Sequence, residues 1–209
     1  MKLRHPIQRT ELRGDAARRT GRGAIVLAAM ILTVSGCAAP AEEVPASTGD
    51  SAILTEHELD GLDARTLIER LDMMAVSDRP TDLMASIRPD AIQLSDDEGR
   101  QTSVPLPEDE FYVSVAPYVE HTHDCYFHSL TTCHGELQNR VVQVTVTDTA
   151  TGVVLLNDML RTYDNGFLGF WLPRDIHASI TIGYEGRSAS APVSTGREDP
   201  TCLTTLRLI

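Results

Sequence analysis

Residues 121–134, HTHDCYFHSLTTCH, hold two of the four cysteines and four of the seven histidines in this 209-residue chain. Cys125 and Cys133 carry sulfur, and His121, His123, His128 and His134 carry imidazole, so the stretch has the donors of a soft-metal or thiol site. Thiolate suits Cu(I), zinc and iron–sulfur clusters, and imidazole suits copper and zinc. One thiolate pair can also close to a disulfide and release two electrons, enough to reduce two Cu(II) ions.

The cysteine count sharpens this. Val34-Ser35-Gly36-Cys37 follows an arginine-rich start and an uncharged stretch from Gly23 to Gly36, too short to span a bilayer as a mature helix. Residues 1–36 therefore read as a lipoprotein signal peptide, with Cys37 the cysteine that is acylated and becomes the new N-terminus. Cys125, Cys133 and Cys202 are then left as thiols, an odd number for an oxidising exterior. Either one disulfide leaves a reactive thiol, or three thiolates converge on one ion. On a straight helix Cys125 and Cys133 would stand roughly 12 Å apart, beyond the reach of a disulfide or a shared metal. The segment between them must bend back.

Charge excludes one class of partner. Removing residues 1–36 takes seven basic and two acidic residues away and leaves eleven basic against twenty-eight acidic, a formal charge near −17. Such a surface repels nucleic acid. There is no phosphate-binding glycine loop, no His-Glu-x-x-His and no Gly-x-Ser-x-Gly, so nucleotide-dependent and hydrolytic chemistry have no support.

The elements that must position the site read as α+β. Residues 37–54 read as the lipidated N-terminus and a flexible tether, poor in large apolar residues. Residues 55–120 read as a small helical part with a hairpin. Asp63 can cap a helix whose Leu67, Ile68, Leu71 and Met74 recur at helical spacing, and Thr81 can cap a second short helix running to Ile87. Ala91–Leu94 and Gln101–Val104 flank a turn, and Phe111–Val119 reads as a strand leading into the Cys/His-rich segment, residues 121–138. Residues 139–209 carry short β-like runs separated by turn residues, the pattern of an antiparallel β-sandwich-like C-terminal domain. The run from Val146 to Gly186 looks like transthyretin-type or Ig-like sandwiches, with Trp171 in its aromatic core. A last strand, Leu203–Ile209, starts beside Cys202, where a loop could bring that cysteine to the other two.

The stretch FYVSVAPYVEHTHDCYFHSLTTCHGEL, with a third cysteine in DPTCLTTLRL, resembles the CueP family of extracytoplasmic copper-binding proteins. The resemblance covers roughly residues 55–209. It implies Cu(I) held by Cys125, Cys133 and Cys202, which match the family's ligands in order and approximate spacing. It further implies a role in periplasmic copper tolerance, delivery of copper to a secreted copper–zinc superoxide dismutase, reduction of Cu(II), and thiol–disulfide exchange. With Cys37 acylated, this member would sit on the outer face of a membrane or in the periplasm. Three other readings compete: a thiol–disulfide oxidoreductase, although the chain lacks Cys-x-x-Cys; a structural zinc site completed by His128 or His134; and a lipoprotein merely stapled by a disulfide.

Overall fold

The computed structural model describes residues 48–209. The expected signal peptide, Cys37 and residues 38–47 of the expected tether lie outside the described residues. In chain order the elements are α1 (Thr48–Glu56), α2 (Ala64–Asp72), a 3₁₀ turn (Val76–Asp78), β1 (Leu83–Ile87), β2 (Ala91–Asp96), β3 (Gln101–Pro105), β4 (Glu110–Val115), β5 (Val141–Asp148), β6 (Val154–Arg161), β7 (Leu168–Pro173), β8 (His177–Tyr184), β9 (Arg187–Ser194) and β10 (Cys202–Leu203). The fold is α+β, with almost all strand pairs antiparallel. Among the described residues no helix is long and apolar enough to cross a membrane.

Helix α2 starts where the sequence places it. The Asp63 carboxylate accepts the Thr66 backbone N–H at 2.8 Å, the N-cap that satisfies an otherwise orphaned donor. Leu67, Ile68 and Leu71 point into a core with Ile53 of α1 and with Leu83, Ala85, Ile87, Ile92 and Leu94 of the β1–β2–β3 sheet. Burying those three α2 side chains contributes roughly 5–9 kcal/mol, which a nine-residue helix needs, since one this short is marginal in water. Helix α1 begins at Thr48, inside the stretch read from composition as tether.

The expected second helix over residues 81–87 is a strand. Leu83, Ala85 and Ile87 are buried while Met84 is exposed, a period of two, and β1 pairs antiparallel with β2 in the register Leu83↔Asp96 to Ile87↔Ile92. The β2–β3 hairpin lies where expected. Its turn is held by Asp96 Oδ1, which accepts from Glu98 N and Arg100 N, with Gly99 at φ +79°.

Two further sheets, β10–β4–β7 and β6–β5–β8–β9, pack face to face. Phe111, Val113, Val115, Leu168 and Leu172 on one side meet Val142, Val144, Val146, Ile180 and Ile182 on the other. Strand β4 joins the two cores, because Tyr112, on its opposite face, packs with the helices. Trp171 is on that face too: it stands edge-on to Tyr112 at 5.1 Å under the Arg65 guanidinium, outside the sandwich core where the sequence reading put it. The C-terminal strand is also shorter than expected. Only Cys202 and Leu203 pair with β4, in parallel, and beyond them Leu206 and Leu208 fill the sandwich core from an extended tail.

Candidate metal centre

The Cys/His-rich segment has little regular structure, so hydrogen bonds to its neighbours fix it. His128 O accepts from Ile87 N at 2.8 Å and Leu130 N donates to Ala85 O at 2.8 Å, laying residues 128–130 along the free edge of β1. Cys133 N donates back to Ser129 O at 3.2 Å, closing the bend that the spacing of Cys125 and Cys133 demands. Cys202 arrives from the other side. Ser114 N donates to Thr201 O, Cys202 N donates to Tyr126 O, and the Thr201 hydroxyl donates to Ile87 O while accepting from His128 N. The C-terminal strand and the metal-like segment are thus tied to one another and to β1.

The result gathers all three described cysteines. Cys125 and Cys202 form a disulfide with Cα atoms 5.6 Å apart, and Cys133 is a buried free thiol. Its Sγ lies 3.6 Å from Cys125 Sγ and accepts from Ser129 N at 3.4 Å. Phe167 and Ala116 pack around the sulfurs as apolar walls.

Two histidines join them. The ligand atoms of His123, Cys125 and Cys133 lie within 4.8 Å of one another, as do those of His128, Cys133 and Cys202. Cys133 belongs to both groups. His123 Nε2 and His128 Nδ1 are buried and have no hydrogen-bond partner. A buried imidazole nitrogen without a hydrogen-bond partner is a disfavoured state, and two of them beside three sulfurs supply the donor types of a soft-metal site. The Phe167 ring lies 4.5 Å from the His128 ring and 6.0 Å from that of His123. His121 and His134 are exposed and belong to neither group. His134 instead lines a surface groove of about 490 Å³ with Arg79 and Met84.

Behind His128 stands a buried polar network that the sequence reading missed. His128 Nε2 lies 3.1 Å from Asp72 Oδ1, and both side chains are fully buried. Asn165 Nδ2 donates to the same oxygen at 2.8 Å, and the Tyr112 hydroxyl donates to Oδ2 at 3.1 Å. Arg79 approaches the carboxylate at 3.9 Å and donates to Cys133 O at 3.1 Å. Burial alone would raise the Asp72 pKa, but His128, Asn165 and Tyr112 outweigh it and hold the carboxyl below its ordinary value. Burial likewise disfavours the His128 cation, yet Asp72 and then Cys133 push its pKa up to about 9. Burial raises the Cys133 thiol and His128 lowers it, with a net lowering. With Nε2 committed to Asp72, the nitrogen left for a metal is Nδ1, the carboxylate–histidine pairing that orients many ligands.

Glycines make room for the network. A Cβ on Gly169 would strike the Tyr112 hydroxyl, and one on Gly166, at φ +79°, would overlap the Gly135 carbonyl. Asp72 did leave a signal. It falls four residues after Ile68, on the apolar stripe of α2, where a carboxylate is out of place unless partnered.

Three sulfurs and two imidazoles, each with one ring nitrogen free of hydrogen bonds, define a soft-metal-binding protein. Comparison with known proteins agrees. The family model described as "Periplasmic copper-binding protein CueP" matches residues 66–207. A solved chain described as "Crystal Structure of S.CueP" is 38% identical and superposes with a TM-score of 0.72, covering 78% of this chain and 99% of that one. No curated protein matches. The chain belongs to the CueP family of periplasmic copper-binding proteins.

Proposed function

We propose that this protein holds Cu(I) on the thiolates of Cys125, Cys133 and Cys202, buffering periplasmic copper and passing it on. The observation that carries this is the convergence of three sulfurs, those of buried Cys133 and Cys202 and half-buried Cys125, with Cys133 Sγ 3.6 Å from a sulfur of the Cys125–Cys202 disulfide. Opening that disulfide with a dithiol reductant supplies two thiolates beside the third. Closed-shell Cu(I) accepts two or three such ligands without strict angular demand. Run the other way, two thiolates give one electron each to two Cu(II) ions, which become two Cu(I), and the sulfurs join. Acylation of Cys37 would tether the site to the membrane. A copper acceptor such as a secreted copper–zinc superoxide dismutase fits a protein of this kind.

The test is an anaerobic Cu(I) titration of the reduced chain against a chromophoric competitor, with free thiols counted before and after. One tightly held ion that protects three thiols supports the proposal; failure to compete overturns it. Thiol–disulfide exchange is a second reading, favoured by the same 3.6 Å approach, in which Cys133 attacks Cys125 and releases the Cys202 thiolate. Turnover of a disulfide substrate without metal would mark it.

A further inference from the structure

When Cys125 and Cys202 are joined, the three-thiolate set no longer exists, yet three buried donors stay open: Cys133 Sγ, His123 Nε2 and His128 Nδ1. We infer that the disulfide-closed protein binds Cu(II) at this two-imidazole, one-thiolate set. The inference rests on reading the cluster as a copper site and adds the valence and ligands of its oxidised form.

Geometry supports it first. Each histidine has a ring nitrogen within 4.8 Å of Cys133 Sγ, which makes this sulfur the donor common to both imidazoles. Both nitrogens lack any other hydrogen-bond partner, and Asp72 holds the far side of the His128 ring so that Nδ1 faces the sulfurs. Ser129 N and Arg79 pin the Cys133 loop. The wall is apolar, formed by Phe167 and Ala116. Two imidazoles and one thiolate are the donor types of blue-copper sites.

Electron counting supports it next. Cu(II) bound to a thiol cluster is normally reduced, because two thiolates can couple. Here both other sulfurs are already spent in the disulfide, and Cys133 is buried away from a second molecule. A lone thiolate has no partner to complete the two-electron oxidation. Cu(II) and the Cys133 thiolate therefore coexist, and no bond is made or broken beyond coordination and loss of the thiol proton.

The experiment uses the exported chain carrying Cys37→Ser, disulfide closed and Cys133 confirmed as the countable thiol, titrated with a Cu(II) salt alone. Expected is one equivalent bound, an intense visible thiolate-to-copper charge-transfer band, and nitrogen coupling in the electron paramagnetic resonance spectrum. Cys133→Ser should abolish the band. His123→Gln and His128→Gln should each weaken binding at least tenfold, and half-buried His123 keeps the test valid if the fully buried His128 variant does not fold. Uptake without the band, a band that bleaches with thiol oxidation, or uptake unchanged by Cys133→Ser and His123→Gln overturns the inference. Cu(I) titration of the reduced chain separates the two claims. Tight Cu(I) binding with no Cu(II) site in the closed form removes this inference alone, and loss of Cu(I) binding removes the proposed function.

Discussion

His128 Nε2 lies 3.1 Å from Asp72 Oδ1, two fully buried side chains brought together across fifty-six residues. Asp72 ends helix α2 and His128 begins the run along β1, so this contact fastens the Cys/His-rich segment to the helical core. It also decides which imidazole nitrogen faces the sulfurs.

Asp72→Asn keeps the shape and removes the charge. The variant should lose about 3 kcal/mol or more of stability, the scale for stripping one partner from a buried ion pair, and the reduced protein should bind Cu(I) roughly 10- to 100-fold more weakly if His128 assists. Chemical denaturation gives the first number and competition titration the second. A stability loss with unchanged copper affinity would confine Asp72 to a structural role.

The same pair sets the pH dependence of the metal-free protein. His128 has its pKa raised from 6.5 to about 9, so its contribution is complete below pH 6.5 and disappears as pH rises through about 9. Up to about 3 kcal/mol is at stake, since each unit is worth about 1.4 kcal/mol. Asp72, held below its ordinary value, loses its contribution as the solution becomes acidic. The lowered Cys133 thiol has the opposite slope to His128 and offsets part of the alkaline loss. Denaturation midpoints should fall between neutral pH and pH about 9, and His128→Gln should flatten that fall.

Gly169→Ala tests how tightly the support is packed. Its methyl would meet the Tyr112 hydroxyl, which must then leave Asp72. A loss of about 1–3 kcal/mol is expected, as for overpacking elsewhere, together with weaker metal binding. Tyr112→Leu in the same background should recover part of the stability, because the hydroxyl and the ring carbon Cζ that both meet the methyl are gone. Absence of any recovery would place the clash elsewhere.

Much of this was legible in the chain. Period-two alternation marked β5 and β8, and the Asp63 cap with its apolar spacing marked α2, because both patterns are local. Residues 81–87 were misread because Thr81 after Pro80 mimics a helix start, while the deciding fact, pairing with β2, comes from a strand further along. The donors themselves stood out by type. What did not show was which histidines turn inward, since His121 and His134 look like His123 and His128 until Glu136 and the β1 edge fix the loop. Asp72 and Asn165 belong to segments far from the cysteines in sequence, and only the folded chain makes them neighbours.

The disulfide links stability to redox state and metal. Cys125 and Cys202 are 77 residues apart, so opening the bond should cost roughly 4 kcal/mol from released chain entropy. The reduced, metal-free protein should therefore unfold at lower denaturant than the oxidised one. Adding Cu(I) should reverse the loss, because an ion bound by Cys125, Cys133 and Cys202 closes the same loop and stabilises the folded state by about 4 kcal/mol at a thousandfold excess over its dissociation constant. Denaturation of oxidised, reduced and reduced Cu(I)-loaded samples gives the three midpoints. Cys202→Ser should abolish both the oxidised stabilisation and most of the rescue, since Cys202 is the only described cysteine on the C-terminal side of that loop. Full rescue in Cys202→Ser would mean that copper is held by Cys125, Cys133 and imidazole alone.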